Sequence, residues 1–397
     1  MRFIRPRKLL DKKKPKADTE NIEHSTEPMR IEPEKIRRKT PIVSTSPYDK
    51  EQIVRGPKER FSGNLDHNLN LLIERTGDAN LILEEYLMGT QAKKRVIIAY
   101  LENVANPGIV SEIKTRLSKN RTKPVLDSSY IERNIEDSNL SPFPQVETTP
   151  NPTVAESALL QGRVAIFVDQ SPDVLLAPTT FFDLMDTTED AFRRWHVASS
   201  FFKLARYILL VIAASLPGFY ISLTSYNPEL IPTRLAFIIA GSREGTPFPV
   251  YFEAFFMMGV VEAVRMVIIR LPTALGSTIA LFAGLLLAGA GISINIIGVP
   301  ITMVVTLTII ASFGIPNNDL RGAIRIIQFG TMIMSAILGV LGFAISFFYL
   351  TAHLVNLKSF GIPYMTPLAP MEGSGWEHTV LRGNTKEMPR DESYKPS

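Results

Sequence analysis

Three long windows without a charged side chain constrain this chain more than any other feature. Residues 207–228, 271–318 and 326–352 contain no Asp, Glu, Lys or Arg. About 18 mainly apolar residues without charge suffice for a helix that crosses a bilayer. The middle window holds two such crossings and a turn, more than a soluble core requires. Charge is concentrated elsewhere. Of 43 Lys+Arg and 39 Asp+Glu, 61 lie in residues 1–206, 13 in 207–372 and eight in 373–397. The expected fold is a polytopic α-helical membrane protein with about five to six membrane segments and an N-terminal cytosolic α/β domain. The expected division is a disordered basic tail (1–50), a cytosolic α/β domain (51–195), a membrane domain (196–370) and a polar C-terminal tail (371–397).

The first 60 residues hold 17 basic residues, 10 acidic ones and seven prolines, with no apolar period. Such a stretch cannot bury enough apolar surface to order itself. No apolar run follows the charges, so it is not a signal peptide. Its basic residues either attract anionic lipid at the cytoplasmic face or form a solvated tail. Basic charge without interleaved aromatics or a reader motif does not point to nucleic acid. Arg193, Arg194, Lys203 and Arg206 precede the first apolar run. By the positive-inside rule they place the N-terminal half in the cytoplasm.

Residues 55–190 alternate helical and strand-like patterns. Leu65, Leu69, Leu72 and Ile73 have helical spacing, as do Ile109, Val110, Ile113 and Leu117. Asn106-Pro107 reads as a cap followed by a first-turn proline. A short helix is expected over 130–135 and a loop at Pro142, Pro144, Pro150 and Pro152. Residues 96–101 and 163–169 read as strands.

Enzyme signatures are missing. There is no phosphate loop, no HExxH and no GxSxG. The five histidines are scattered, so no metal site and no cofactor is expected. With no cysteine, disulfides, Cys-ligated zinc, iron–sulfur clusters and a thiol nucleophile are excluded. The chain reads as a non-enzyme.

Membrane segments are expected at 204–223, with Pro217 as its kink or end, and at 250–269, 275–291, 296–313 and 323–350. The last is long for one span and is expected to tilt. Residues 235–241 are too short to cross and would be re-entrant or interfacial. Five crossings leave the C-terminus outside and six return it to the cytoplasm. Gly284 with Ala288, and Gly339 with Gly342, favour close helix packing.

The second segment carries Glu253, Glu262 and Arg265, with Arg270 at its end. An ionisable group at membrane depth is costly unless paired or wetted. Glu262 and Arg265, three apart, share a face. Glu253 lies nine residues earlier, about half a turn out of phase, and needs another partner. These groups mark an ion path or a subunit interface, or else a structural ion pair. Asp319, Arg321 and Arg325 read as a hydrophilic loop.

Several short motifs follow one another along the chain. Arg55-Gly56-Pro57 comes first. Ser128-Ser129-Tyr130-Ile131-Glu132, Ile135-Glu136-Asp137 and Ser141-Pro142-Phe143-Pro144-Gln145 follow. Next come Gly162-Arg163-Val164-Ala165-Ile166, Glu189-Asp190 and Glu229-Leu230-Ile231-Pro232. The core is Pro247-Phe248-Pro249, Glu253, Met257, Glu262, Arg265 and Arg270-Leu271-Pro272. Ser359-Phe360-Gly361-Ile362-Pro363-Tyr364 and Pro367-Leu368-Ala369-Pro370 close the series.

Taken in order, these motifs resemble the GerA-type spore germination proteins, the A subunits of nutrient germinant receptors. The resemblance implies a multi-pass protein of the spore inner membrane with a cytosolic N-terminus. It implies a pentameric, channel-forming homo-oligomer. The implied partners are a permease-like B subunit that senses nutrient and a lipoprotein C subunit. Germinant sensing would then trigger ion release. A sporulation-specific accessory ion channel, or a non-conducting scaffold, is the alternative. Departures are visible. A basic stretch of about 50 residues replaces an upstream subdomain, and Arg60-Phe61-Ser62-Gly63 differs from the family pattern. Met258, Met266 and Ile268 stand where the family tends to carry Glu, Glu and Gly, and residues 286–298 lack the usual polar residue.

Overall fold

The computed structural model describes residues 59–89, 93–120, 124–187, 196–270 and 295–370, with the short pieces 29–31, 276, 284, 289 and 291–293. Arg55, Gly56, Pro57, Glu189, Asp190, Pro272, most of the expected segment 275–291 and the tail 371–397 lie outside the described residues.

Alternating apolar side chains build a sheet that is buried on both faces. Its strands are β1 (Met29–Ile31), β2 (Leu81–Met88), β3 (Lys94–Leu101), β4 (Glu147–Thr149), β5 (Val164–Val168) and β6 (Val174–Ala177). The spatial order is β1-β2-β3-β5-β6-β4. Successive side chains of a strand point to opposite faces. In β3, Val96, Ile98 and Tyr100 pack under α2 (Pro107–Lys119) and α3 (Ser128–Ile135). Ile97, Ala99 and Leu101 pack under α1 (Leu65–Thr76) and α4 (Pro152–Gln161). Every strand pair is antiparallel. This corrects the α/β expectation, because helix–strand alternation does not reveal strand direction. Asn106 caps α2 by accepting from the Gly108 N–H at 2.9 Å, and Pro107 sits in its first turn. Met29–Ile31 adds an edge strand to β2.

The second half is a helical bundle. Its helices are α5 (His196–Tyr226), α6 (Thr233–Ser242), α7 (Val250–Arg270), α8 (Val299–Phe313) and α9 (Asn318–Asn356). Two described helices are long and apolar enough to cross a membrane, 199–226 and 318–356. Pro217 lies inside α5 and does not end it. α6 buries none of its residues.

The 39 residues of α9 do not form one tilted rod. Gly339 has φ +61° and ψ −137°, outside the helical region. Around it the chain folds back. A Cβ on Gly342 would run into the Met334 carbonyl, and one on Gly339 would lie 2.8 Å from Tyr226 Cβ. Leu320, Ala323 and Ile324 of the first arm share a cluster with Leu350, Leu354 and Leu357 at the end of the second. Arms 318–338 and 340–356 are therefore antiparallel, about 31 and 25 Å long at 1.5 Å per residue. This corrects the single long span. Asp319, Arg321 and Arg325 belong to the first turns of α9, which corrects the expected loop.

The contacts also fix helix directions. α5 leaves the sheet domain near Phe182–Tyr207 and reaches the α9 turn at Tyr226. α7 starts beside the first residues of α8, far from the sheet domain. α8 returns, placing Ala311 and Ile315 in the cluster that contains Phe143, Phe181 and Phe182. Both ends of α9 lie beside the sheet domain. The chain leaving α9 forms a small hairpin, β7 (Lys358–Ser359) and β8 (Ile362–Pro363). Its two-residue turn, Phe360-Gly361, has φ of +49° and +85°. Left-handed residues at both positions match the twist of the flanking strands.

Candidate functional site

Two ionic groups lie along α7, a buried one at its start and a half-buried one past its middle. At its start, Glu253 is 2% exposed. One carboxylate oxygen accepts from Arg243 Nη2 at 3.0 Å, and the other accepts from the Gly298 N–H at 3.1 Å. Gly298 is the N-cap of α8. The carboxylate therefore satisfies an orphan donor at one helix N-terminus while lying in the first turn of another. Pro247-Phe248-Pro249 prepares this arrangement. The Phe248 carbonyl accepts from Arg243 Nη2 at 3.0 Å, and the Glu253 N–H donates to the Pro249 carbonyl.

Toward the other end, Glu262 accepts from Arg265 Nη1 at 2.9 Å and from Arg325 Nη1 of α9 at 3.2 Å. One carboxylate thus bridges two helices. Arg321, one turn before Arg325, donates to the Ile315 carbonyl and lies over the Phe313 ring. Gln328 is buried against Met258. Arg270 ends α7 exposed, without an ion pair among the described residues. Arg243 and Arg325 were missed in the sequence. They are 10 and 63 residues from their partners, and one sits in a loop.

A third group gathers the scattered motifs at the junction of sheet domain and bundle. Gln145 accepts from the N–H groups of Asp137 and Ser138 at 2.9 and 3.0 Å. Its carbonyl accepts from Ser359 Oγ at 2.7 Å. Ser359 Oγ in turn accepts from the Thr179 N–H at 3.1 Å. Arg163 donates to Thr179 Oγ1 at 2.6 Å and to the Pro178 carbonyl at 2.7 Å. Asp137 accepts from the Phe360 N–H at 2.6 Å and pairs with Arg116, whose guanidinium stacks on the Phe360 ring. Ser141 hydrogen-bonds His353 of α9 at 2.9 Å. Motifs more than 200 residues apart therefore interlock.

Carboxyl groups crowd beside this junction. Burial, Asp319 at the start of α9 and Glu136 push the Glu132 carboxyl up to about 8. Burial, Asp319 and Asp137 raise Glu136, against a hydrogen bond from the Gln145 N–H and the charge of Arg133, which lower it. Among the described residues, no group of three or more His, Asp and Glu could hold a metal ion.

The family model described as "Bacillus/Clostridium GerA spore germination protein" matches residues 36–394. This chain belongs to the GerA spore germination protein family. Spore germination protein B1 of Bacillus subtilis is 37% identical over 346 residues, covering 86% of this chain and 71% of that protein. Spore germination protein GerLA of Bacillus cereus is 36% identical, covering 85% and 69%. The solved N-terminal domain of the A subunit of the Bacillus megaterium spore germinant receptor GerK3 is 32% identical. That match covers 31% of this GerA-family chain and 98% of the solved domain, with a TM-score of 0.26.

Proposed function

We propose that this GerA-family protein is the membrane subunit of a nutrient germinant receptor and transduces germinant sensing into ion release. The observation that carries this reading is the position of the first two turns of α9. Asp319 lies near enough to Glu132 of the sheet domain for their charges to repel, and Arg325 pairs with Glu262 of α7. A shift of the sheet domain would reach the intramembrane ion pair through one rigid element. The alternating directions of α5, α7, α8 and the two α9 arms support six crossings. The segment expected at 275–291, which lies mostly outside the described residues, would be the sixth, and residues 357–364 lie on the side of the sheet domain. This reading keeps the division into basic tail, cytosolic domain, membrane domain and polar tail.

In this reading the protein sits in the spore inner membrane with a cytoplasmic N-terminus. It assembles as a homo-oligomer, a pentamer, around an ion path, with a permease-like B subunit and a lipoprotein C subunit as partners. Glu253, Glu262, Arg265 and Arg270 serve the path or the subunit contacts. Glu262→Gln should impair nutrient-triggered germination while the protein still accumulates. Normal germination would remove Glu262 from the mechanism.

A second reading is a non-conducting scaffold or accessory channel associated with other receptors. Met258, 2% exposed, favours it by making the face opposite Gln328 apolar. Ion flux from purified protein in liposomes excludes the pure scaffold, and sealed liposomes exclude conduction.

A further inference from the structure

The lower end of the second α9 arm borders a cleft of about 740 Å³ between bundle and sheet domain. Its walls include Glu112 and Arg116 of α2, Asp137, His353 and Asn356 of α9, and Lys358 of β7. Most of these charges are already satisfied. Arg116 binds Glu112 at 2.8 Å, pairs with Asp137 and donates to the Ile135 carbonyl. Two polar ends face outward. Lys358 is exposed and has no ion pair among the described residues. Glu112 keeps a second carboxylate oxygen, and its side chain is 47% exposed. The cleft therefore offers one cation and one anion on its walls.

Above the cleft runs an apolar stripe. Leu341, Ile345 and Phe348 are spaced four and three residues apart and are 73%, 50% and 74% exposed. Asn356, two turns after Phe348 on the same face, brings the stripe to the rim of the cleft. Tyr349, 72% exposed, stacks on His353 beside it. An exposed aromatic next to a polar rim suits the level where acyl chain gives way to headgroup.

We infer that this cleft holds the headgroup of a zwitterionic phospholipid of the phosphatidylethanolamine class, with its acyl chain lying along Leu341, Ile345 and Phe348. Lys358 takes the phosphate and Glu112 the ammonium. A purely anionic headgroup leaves Glu112 opposed to it, and a free phosphate leaves the stripe uncovered. This inference rests on the membrane reading given above.

The chain contains no cysteine, so a single one can be introduced cleanly. A fluorophore on F348C, in the full-length protein, reports the lipid beside the stripe. In mixed vesicles, phosphatidylethanolamine with brominated chains should quench it more than brominated phosphatidylglycerol or phosphatidylcholine. Lys358→Gln should weaken phosphatidylethanolamine binding about fivefold, the weight of one interfacial cation. Glu112→Gln should shift preference toward phosphatidylglycerol. Soluble glycerophosphoethanolamine should not compete. Equal quenching by all three lipids overturns the inference, as does a preference that survives Glu112→Gln or binding that Lys358→Gln leaves unchanged. Disulfide-linked dimers of unlabelled F348C also overturn it, because a second copy then covers the stripe. Release of the protein from vesicles by alkaline wash would instead reject the membrane reading, so the two failures are distinct.

Discussion

Tyr364 donates its hydroxyl to the Pro144 carbonyl at 2.9 Å, joining points 220 residues apart. The ring is fully buried between Phe143 and Phe181. Burial and the nearby Asp183 and Glu136 raise the phenol well above its ordinary range, so it remains a donor. Tyr364→Phe leaves a buried carbonyl without its partner, at a cost of about 1–2 kcal/mol. Tyr364→Ala adds a cavity and should cost about 3–5 kcal/mol. Melting of purified protein checks the order. Equal melting of wild type and Tyr364→Phe would show that this bond does not hold the junction.

Gly339→Ala should prevent normal accumulation. The left-handed backbone at this turn costs a side chain about 1–3 kcal/mol, and a Cβ would also lie 2.8 Å from Tyr226 Cβ. Gly330→Ala is the control, because a Cβ there meets nothing within 4 Å. Immunoblots of membrane fractions should show loss for the first and normal levels for the second.

Glu253→Ala removes the acceptor for both Arg243 and the Gly298 N–H. Breaking a buried pair in this way costs about 3–5 kcal/mol. Exchanging the charges, Glu253→Arg with Arg243→Glu, should not restore accumulation, because the Gly298 N–H then faces a guanidinium. Full rescue by the exchange would mean that the α8 cap contributes little.

Much of the sheet domain was legible in the sequence. Leu65, Leu69 and Leu72 mark α1, and Asn106-Pro107 marks the start of α2, because local period and cap chemistry are short-range. Strand direction was not legible, since continuous apolar runs such as 96–101 fit either pairing. Gly339 was hidden inside an unbroken apolar run, where one glycine has no local signature of reversal. Glu262 and Arg265 stand three apart and announce themselves. Arg325 and Arg243 do not, because helix packing and a loop bring them in. Met29–Ile31 is too short and too polar to be read as a strand before its partner β2 is known.

Glu132 gives the fold a pH dependence. Its folded carboxyl titrates at about 8 instead of 4.5, owing to burial and to Asp319, Glu136 and Asp173, partly offset by Arg133. Between those values the folded chain keeps a proton that the unfolded chain releases. Stability from this site is therefore greatest at low pH and falls as pH rises through about 8. Glu132→Gln should flatten the melting temperature between about pH 5 and 8 and raise it at the upper end. An unchanged slope would place the titration elsewhere.

Glu262 has two cationic partners, and this redundancy predicts non-additive behaviour. Arg265→Met leaves the carboxylate with Arg325 at 3.2 Å, and Arg325→Met leaves it with Arg265 at 2.9 Å. Each single change keeps Glu262 paired and should cost about 1 kcal/mol. The double change strands a mostly buried carboxylate and should exceed the sum by about 1–3 kcal/mol. Adding Glu262→Gln to the double variant should recover most of that excess, because the stranded charge is gone. Unfolding in mixed micelles measures the cycle. Simple additivity would mean that water already solvates Glu262, which would make it an open polar position instead of a closed ion pair. That outcome would also predict that Glu262→Gln alone leaves stability unchanged, so the two measurements test each other.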